Sequence, residues 1–486
     1  MSGPRSASIL LASNRGPVSF SLRDDGSLGV RRGSGGLVSG LSGVSDAEVV
    51  WVCAALSEAD RTAARRAPGG QLHRAGFETG GATVHMLDID PGTFHRAYNA
   101  IANSTLWFVH HLLYDTARAP SFDGSFRREW ESYESYNLAF AEALARDAAD
   151  GARVLIQDYH LALAPRMLRE LRPDLRIGHF SHTPWAPPDY FRLLPDDVAI
   201  ELLRGILGAD HAGFLTARWA DAFAQCCEAA LGAKIERDPA GRPIVVTGPD
   251  GSTQLGVHAL GADRDFLRER SSAPDVLARR AGLQDLVGDR ALILRVDRTE
   301  LSKNIVRGLQ AYRELLRAHP EWHGRVVHLA FAYPSRHDLP EYREYTAAVQ
   351  RVAREIEDEF GTADWQPLLL EVEDDFARSL AAYRLADVIL VNPVRDGMNL
   401  VAKEVPVVSE RGCALVLSRE AGAAAELGND AIVINPFDIL DTADGLYRAL
   451  TMDADERRQR SEKLAAAATA LPPQQWFTAQ LDALGA

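Results

Sequence analysis

The chain has 486 residues, 46% of them hydrophobic and 25% charged, which is enough apolar material for two or three ordinary cores. Its 67 acidic against 53 basic groups give a net charge of −14, which argues against nucleic acid or an anionic membrane as main partner but leaves room for a local basic pocket. Four cysteines without CxxC spacing, a polar N-terminus and no apolar run near the roughly 18 residues of a membrane helix predict a reduced, soluble, cytoplasmic protein without a signal peptide.

In chain order, SILLA reads as a strand and is followed by SNRGP, which carries Arg15. The stretch GSGGL, with Gly33, Gly35 and Gly36, is expected to open a helix and let backbone approach a phosphate. It does not match GxGxxG, and no GK dipeptide occurs, so neither a nicotinamide-type fingerprint nor a P-loop is supported. LDID offers Asp88 and Asp90 at the spacing of metal-dependent sugar transferases, but Pro91 follows and an ordinary turn is the preferred reading. The spacing of Trp130, Tyr133, Tyr136, Leu138, Phe140 and Leu144 predicts a helix. It leads into the strand RVLIQ with Asp158 just beyond, the helix LALAPRMLREL, and the strand RIGHFSH with His182 at its end.

Residues 253–266 mix glycine, polar residues and short apolar runs, and the inter-domain linker is placed there. A second series follows. ALILRV leads to Arg298 and Lys303, VVHLAFA leads to Arg336, and LLLEV is followed by DVILV with RDGMNLVAKE behind it; CALVLS and AIVI complete the set. The closing PPQQWFTAQLDALGA reads as a helix whose Trp476, Phe477 and Leu481 need a surface to cover. Short apolar runs alternating with amphipathic segments predict βαβ units and open parallel sheets with right-handed crossovers. In such sheets ligands bind beyond the carboxyl ends of the strands, where all these polar residues fall.

Each group suits an anionic, hydroxyl-rich ligand. Gly397, Met398, Asn399 and Leu400 would present backbone N–H groups at a helix start, with Asp396 and Glu404 as acceptors for sugar or ribose hydroxyls. Arg298 and Lys303 would neutralise a diphosphate leaving group, and Arg15 and Arg336 a second phosphate. His182 and Asp158 are either a catalytic base pair or holders of hydroxyls. Carboxylates scattered among cations fit group transfer better than hydrolysis, which needs two carboxylates at a set separation.

In this order, SNRGP, GGL, YNAIANSTLW, DYH, HTPWAPPDYFRLLP, RTELSK, PSR, RDGMNLVAKE and LSREAGAAAEL resemble the trehalose-6-phosphate synthase family of retaining glucosyltransferases, from about residue 8 to residue 480. The resemblance implies two Rossmann-like α/β domains facing across a cleft, a GT-B type fold. The expected divisions are residues 1–258 for the acceptor, 259–468 for the nucleotide sugar, and a final helix 469–486 crossing back to the first domain. It implies a nucleotide-diphosphate glucose as donor, glucose 6-phosphate as acceptor, and no cofactor or metal. Arg298 and Lys303 would hold the diphosphate, Asp396 and residues 397–400 the glucose and phosphates, Glu404 the ribose, and Gly36 would close over the donor. His182 would contact the transferred glucose, while Arg15, Tyr98, Trp107 and Arg336 cradle the acceptor, with Asp158 on its hydroxyls. The departing phosphate oxygen would take the acceptor proton, so no enzymatic nucleophile is needed. A homo-oligomer is compatible with the sequence, and no appended phosphatase domain is expected.

Three positions depart from the family pattern. Ala54 stands in WVCAAL where a tryptophan and glycines are usual, and Gln157 stands where a histidine usually precedes DYH. Both bear on the acceptor and suggest an alternative, a pseudo-glycosyltransferase joining a nucleotide-activated cyclitol to an aminocyclitol phosphate. Asn304 replaces a usual glycine near the donor and tilts the base from uridine toward guanosine. A regulatory subunit without activity would show gaps in the donor clamp, yet Arg298, Lys303, Asp396 and Glu404 are all present.

Overall fold

The computed structural model describes residues 7–23, 25–32, 49–336 and 339–485. The chain forms two compact units, Met1–Leu260 with Pro473–Ala486, and Gly261–Pro472. The crossing thus falls inside the expected linker stretch, but residues 253–257 of that stretch are strand.

The first unit holds the strands β1 (Ala7–Ser13), β2 (Val18–Leu22), β3 (Leu28–Arg32), β4 (Val49–Ala54), β5 (Thr83–Leu87), β6 (Ala148–Gln157), β7 (Arg176–Ser181), β8 (His211–Phe214), β9 (Lys234–Arg237), β10 (Pro243–Gly248) and β11 (Gly251–Val257). Nine of them make one sheet in the order β5-β4-β1-β6-β7-β8-β11-β10-β9, and β2 and β3 make a separate hairpin. Strands β5 to β11 of that order run parallel. The edge is different: β10 is antiparallel to both β11 and β9. An all-parallel sheet was the expectation. The reversal comes from two turn sequences, DPAGR with Gly241 at φ 80° and GPDGS with Gly251 at φ 145°, backbone values that glycine adopts without strain.

Helix Gly124–Asp147 begins where Asp123 accepts from the N–H groups of Ser125 and Phe126 at 2.9 and 3.2 Å. It buries Phe126, Trp130, Tyr133, Tyr136, Phe140 and Leu144, spaced three or four apart. Leu138, counted with that face from the sequence, is 41% exposed, because it lies two residues from both Tyr136 and Phe140 and so turns off the stripe. The closing helix Pro473–Ala483 buries Trp476, Phe477 and Leu481 within the first unit. Trp476 stacks edge-on to Phe180 at 5.0 Å and donates its indole N–H to the His258 carbonyl at 3.1 Å.

The second unit holds β12 (Ala291–Arg298), β13 (Val326–Tyr333), β14 (Leu368–Glu371), β15 (Val388–Val391), β16 (Ala414–Ser418) and β17 (Ile432–Ile434) in the order β14-β13-β12-β15-β16-β17, all parallel. Every residue of β13 is buried, which is why VVHLAFAY reads as a near-continuous apolar run. Helix Ile305–Ala318 sets Ile305, Leu309, Tyr312 and Leu315 against this sheet in the main core of the unit.

Both sheets reverse their winding at one place. In the first unit β1 lies between β4 and β6, and in the second β12 lies between β13 and β15. At such a switch point the neighbouring loops diverge and leave a crevice beyond the strand ends.

Candidate functional site

The switch point of the second unit gathers the residues expected around a donor. Arg298 ends β12 and Lys303 lies on the turn Leu301–Lys303 after it. Lys303 Nζ reaches across to Asp396 Oδ2 at 2.6 Å, on the loop after β15, and stands 4.0 Å from Asp297 Oδ1. Burial opposes the lysine's charge, but Asp396, Asp297 and Glu300 outweigh it and hold its pKa above the ordinary value.

Beneath this turn lies Arg295, fully buried, a residue the sequence reading did not single out. Its guanidinium binds Asp297 at 3.0 Å, the Lys303 carbonyl at 2.9 Å and Asn392 Oδ1 at 2.5 Å, so it ties the turn after β12 to the end of β15. Gly308 makes room for it: a Cβ there would meet Arg295 Nη1 at 2.2 Å.

Glu300 is a second missed residue. It is fully buried; its Oε1 lies 3.2 Å from Arg298 Nη2 and accepts from the Ser335 hydroxyl at 2.9 Å. Burial would raise its pKa, yet Arg298, Arg336 and Lys303 pull it down to about 2. One carboxylate therefore faces the positive charge of three expected phosphate ligands. Arg336 also donates to the Tyr342 hydroxyl at 2.7 Å. It belongs to the second unit, whereas Arg15, Tyr98 and Trp107, expected beside it, belong to the first.

The RDGMNL loop is held by LSREAG. Asp396 donates its backbone N–H to the Glu420 carbonyl at 3.2 Å, Gly422 N–H returns to the Asp396 carbonyl at 3.0 Å, and Ala423 N–H reaches the Met398 carbonyl at 2.8 Å. Asn399 Nδ2 donates to Asp396 Oδ2 at 3.2 Å, and the Met398 N–H points to Oδ1 at 3.4 Å. Gly397, Met398 and Asn399 are buried, and Leu400 is the residue from which helix Val401–Val408 starts. Glu404 sits in its first turn, where burial raises its pKa to about 7 and the Tyr383 hydroxyl lies 3.3 Å away.

In the first unit, Asp158 follows β6 and His182 follows β7. Asp158 Oδ1 accepts the backbone N–H of His182 at 3.1 Å, and His182 Nε2 lies 2.9 Å from Gln157 Oε1. Burial, with His179 nearby, lowers the His182 pKa to about 3, so the ring is neutral at physiological pH. That argues against a histidine–aspartate base pair, because the carboxylate meets the histidine's backbone, not its ring. Arg15 is exposed two residues after β1. Tyr98 lies in helix Arg96–Leu106 and stacks on Phe94 at 5.1 Å and His160 at 5.6 Å. Trp107 stacks on His111 at 3.8 Å. Gly33, Gly35 and Gly36 lie outside the described residues.

Backbone strain concentrates at these loops. Among the described residues five non-glycine residues have positive φ: Leu112, Asp158 (74°), Asn304 (58°), Arg336 (45°) and Asn399 (83°). Four of the five follow strands at the two switch points. Asp158, with ψ 170°, occupies a region almost reserved for glycine, which costs on the order of 1–3 kcal/mol and persists where surrounding structure enforces it.

The departures acquire physical roles. Asn304 is left-handed and buried, and its amide donates to the carbonyls of Asn392 and Pro436 at 2.9 and 2.8 Å. It holds a glycine's conformation while its side chain anchors two loops. Ala54 ends β4, fully packed, with its N–H on the Asn14 carbonyl at 3.2 Å. Asp88 pairs with Arg65 at 2.7 Å and Asp90 caps helix Pro91–His95, so the Asp-x-Asp pair is used structurally.

The family model of Glycosyltransferase family 20 matches residues 7–486. The alpha,alpha-trehalose-phosphate synthase [UDP-forming] 2 of Aspergillus niger is 34% identical over 472 residues, 94% of this chain and 92% of that one. An E. coli structure bound with UDP-2-fluoro glucose superposes with TM-score 0.84 at 26% identity, covering 98% of each chain. An alpha,alpha-trehalose-phosphate synthase (UDP-forming) from Burkholderia xenovorans in complex with glucose-6-phosphate gives TM-score 0.83 at 25% identity, covering 98% of this chain and all of that one, 100%.

Proposed function

The chain belongs to glycosyltransferase family 20 and is a glycosyltransferase of the trehalose-phosphate synthase type; we propose that it transfers glucose from UDP-glucose to glucose 6-phosphate with retention, giving trehalose 6-phosphate and UDP. The observation that carries this reading is the second unit's switch point, where Arg298, Lys303 and Arg336 converge on the buried Glu300 and Lys303 meets Asp396. Such a cluster stabilises the charge that grows on a departing diphosphate.

Arg298 and Lys303 hold that diphosphate, and the leaving phosphate oxygen takes the proton of the acceptor hydroxyl as the new glycosidic bond forms on the face UDP has left. Asp396 and the backbone of residues 397–400 hold the glucose, and Glu404 accepts from the ribose. Because the cations supply the charge, turnover is expected to persist in a chelator. Arg15, Tyr98, Trp107, Asp158 and Arg336 serve the acceptor.

Of the two donors the sequence leaves open, GDP-glucose and UDP-glucose, UDP-glucose is preferred over the guanosine toward which Asn304 tilts the reading. The Aspergillus niger and Burkholderia xenovorans relatives are UDP-forming, and the Asn304 amide hydrogens are spent on Asn392 and Pro436, which leaves no donor there to read a base. The cyclitol-joining alternative has no counterpart among those relatives.

The test is a matched incubation of the purified protein with glucose 6-phosphate and either UDP-glucose or GDP-glucose, following nucleoside diphosphate release and identifying the disaccharide phosphate by NMR. UDP release with a non-reducing product is expected. Turnover with GDP-glucose alone, or with neither donor, overturns the proposal.

A further inference from the structure

A line of hydrogen bonds runs from the closing helix of the first unit to His182, and its direction is fixed at one end. Gln480 Nε2 lies 3.3 Å from the Trp476 carbonyl oxygen, Gln480 Oε1 lies 3.4 Å from Gln157 Nε2, and Gln157 Oε1 lies 2.9 Å from His182 Nε2. Gln157, Gln480 and Trp476 are at most 2% exposed, so water does not compete for these groups.

A carbonyl oxygen can only accept. The Gln480 amide must therefore turn its nitrogen to Trp476 and its oxygen to Gln157. Gln157 must then give its nitrogen to Gln480, which leaves its oxygen for the imidazole. That oxygen has no proton, so the imidazole nitrogen facing it must carry one. Since the ring is neutral, the other nitrogen is bare.

We infer that Gln480 and Gln157 are positioning residues that fix His182 in its Nε2–H tautomer, so that Nδ1 is offered as a hydrogen-bond acceptor to a ligand hydroxyl. Trp476 contributes twice, because its ring also packs 5.5 Å from the His182 ring. A histidine at 157 would have two tautomers of its own; a glutamine tied at its far end has one orientation. The residue that departs from the family pattern thus acts on the ring at 182 through the closing helix. That the hydroxyl belongs to the transferred glucose rests on the proposed glucosyl transfer; the tautomer does not.

The test is the 15N spectrum of selectively histidine-labelled, ligand-free protein, with His182→Gln assigning the resonance. One neutral Nε2–H tautomer is expected in the unaltered protein. In Gln480→Leu, whose helix keeps Trp476, Phe477 and Leu481 as its buried anchors, a mixture of tautomers is expected, with kcat reduced about 2- to 10-fold, the worth of one hydrogen bond, and KM for glucose 6-phosphate unchanged. An Nδ1–H tautomer in the unaltered protein overturns the inference without any variant. So does an unmixed Nε2–H tautomer in Gln480→Leu. The outcomes separate cleanly: an inactive protein with the Nε2–H tautomer removes the transfer reading alone, whereas an active protein with the Nδ1–H tautomer removes only this inference.

Discussion

Lys303 Nζ lies 2.6 Å from Asp396 Oδ2, and the bond ties the turn after β12 to the loop after β15 with both side chains only 16% exposed. The same lysine is thus both the expected diphosphate ligand and the counter-charge of two carboxylates, Asp396 and Asp297. Arg298 differs, since its side chain is 52% exposed and its carboxylate partner keeps Arg336, Lys303 and Ser335. Arg298→Ala is expected to lower kcat/KM about 100- to 1,000-fold with a melting temperature within about 2 °C of the parent. Lys303→Ala is expected to lose activity and also ~3–5 kcal/mol of stability, because it strands a buried charge. Paired assays and thermal melts check this; normal turnover in Arg298→Ala would remove the diphosphate role.

Glu404 ties stability to pH. Burial lifts its pKa to about 7, against about 4.3 for a glutamate in an unfolded chain. Between these values the folded chain holds a proton the unfolded chain has lost, so this group's contribution is full below about pH 4 and is lost as pH rises through about 7. The span is worth on the order of 3 kcal/mol. Glu404→Gln removes that dependence. The variant is expected to melt above the parent at pH 8 and alongside it at pH 4, while binding UDP more weakly because one acceptor oxygen for the ribose becomes an NH2 donor. Parallel melting curves at both pH values would refute the assignment.

Much of this architecture is legible in the residues. The apolar runs of the second unit are its strands, and the polar residues that follow them stand at the strand ends. The antiparallel edge was not read because DPAGR and GPDGS, sound hairpin signals, sit beside strands such as KIER whose burial pattern is mostly exposed. The supporting groups were hidden for another reason. Arg295, Glu300 and Gln480 are ordinary letters within a strand, a turn and a helix, and only burial with distant partners gives them meaning. Positive φ at Asp158 and Arg336 is equally invisible: arginine does not announce a left-handed backbone, and Asp158, with ψ 170°, lies outside the αL region that aspartate favours. Asn304 stands out in the sequence as a departure, but the two carbonyls its amide serves are invisible there.

Gly422 lies outside the expected ligand-binding residues yet governs them. A Cβ at this position would come within 1.9 Å of the Gly397 carbonyl oxygen, while its N–H supports the Asp396 carbonyl. Backbone cannot yield as a side-chain tip can, so Gly422→Ala must push the RDGMN loop away from LSREAG. A stability loss of about 1–3 kcal/mol is expected, with a larger effect on KM for the nucleotide sugar than on KM for glucose 6-phosphate. Steady-state kinetics with each substrate varied in turn checks it. Equal effects on both constants would mean the loop is not a donor element.

Asn304→Gly separates backbone conformation from base recognition. Glycine adopts the left-handed φ of 58° at no cost, so the turn after Lys303 keeps its course. What is lost is the pair of amide bonds to the Asn392 and Pro436 carbonyls, both buried, together with the bond that Asn304 Oδ1 accepts from the exposed Arg307 at 2.9 Å, which is worth little at the surface. At about 1 kcal/mol for each net bond, a loss of about 2 kcal/mol in stability is expected, with kcat within about threefold of the parent. The ratio of turnover with UDP-glucose to turnover with GDP-glucose should not change. A shift of that ratio by tenfold or more would show that Asn304 reads the base after all, and would restore the meaning first given to the departure.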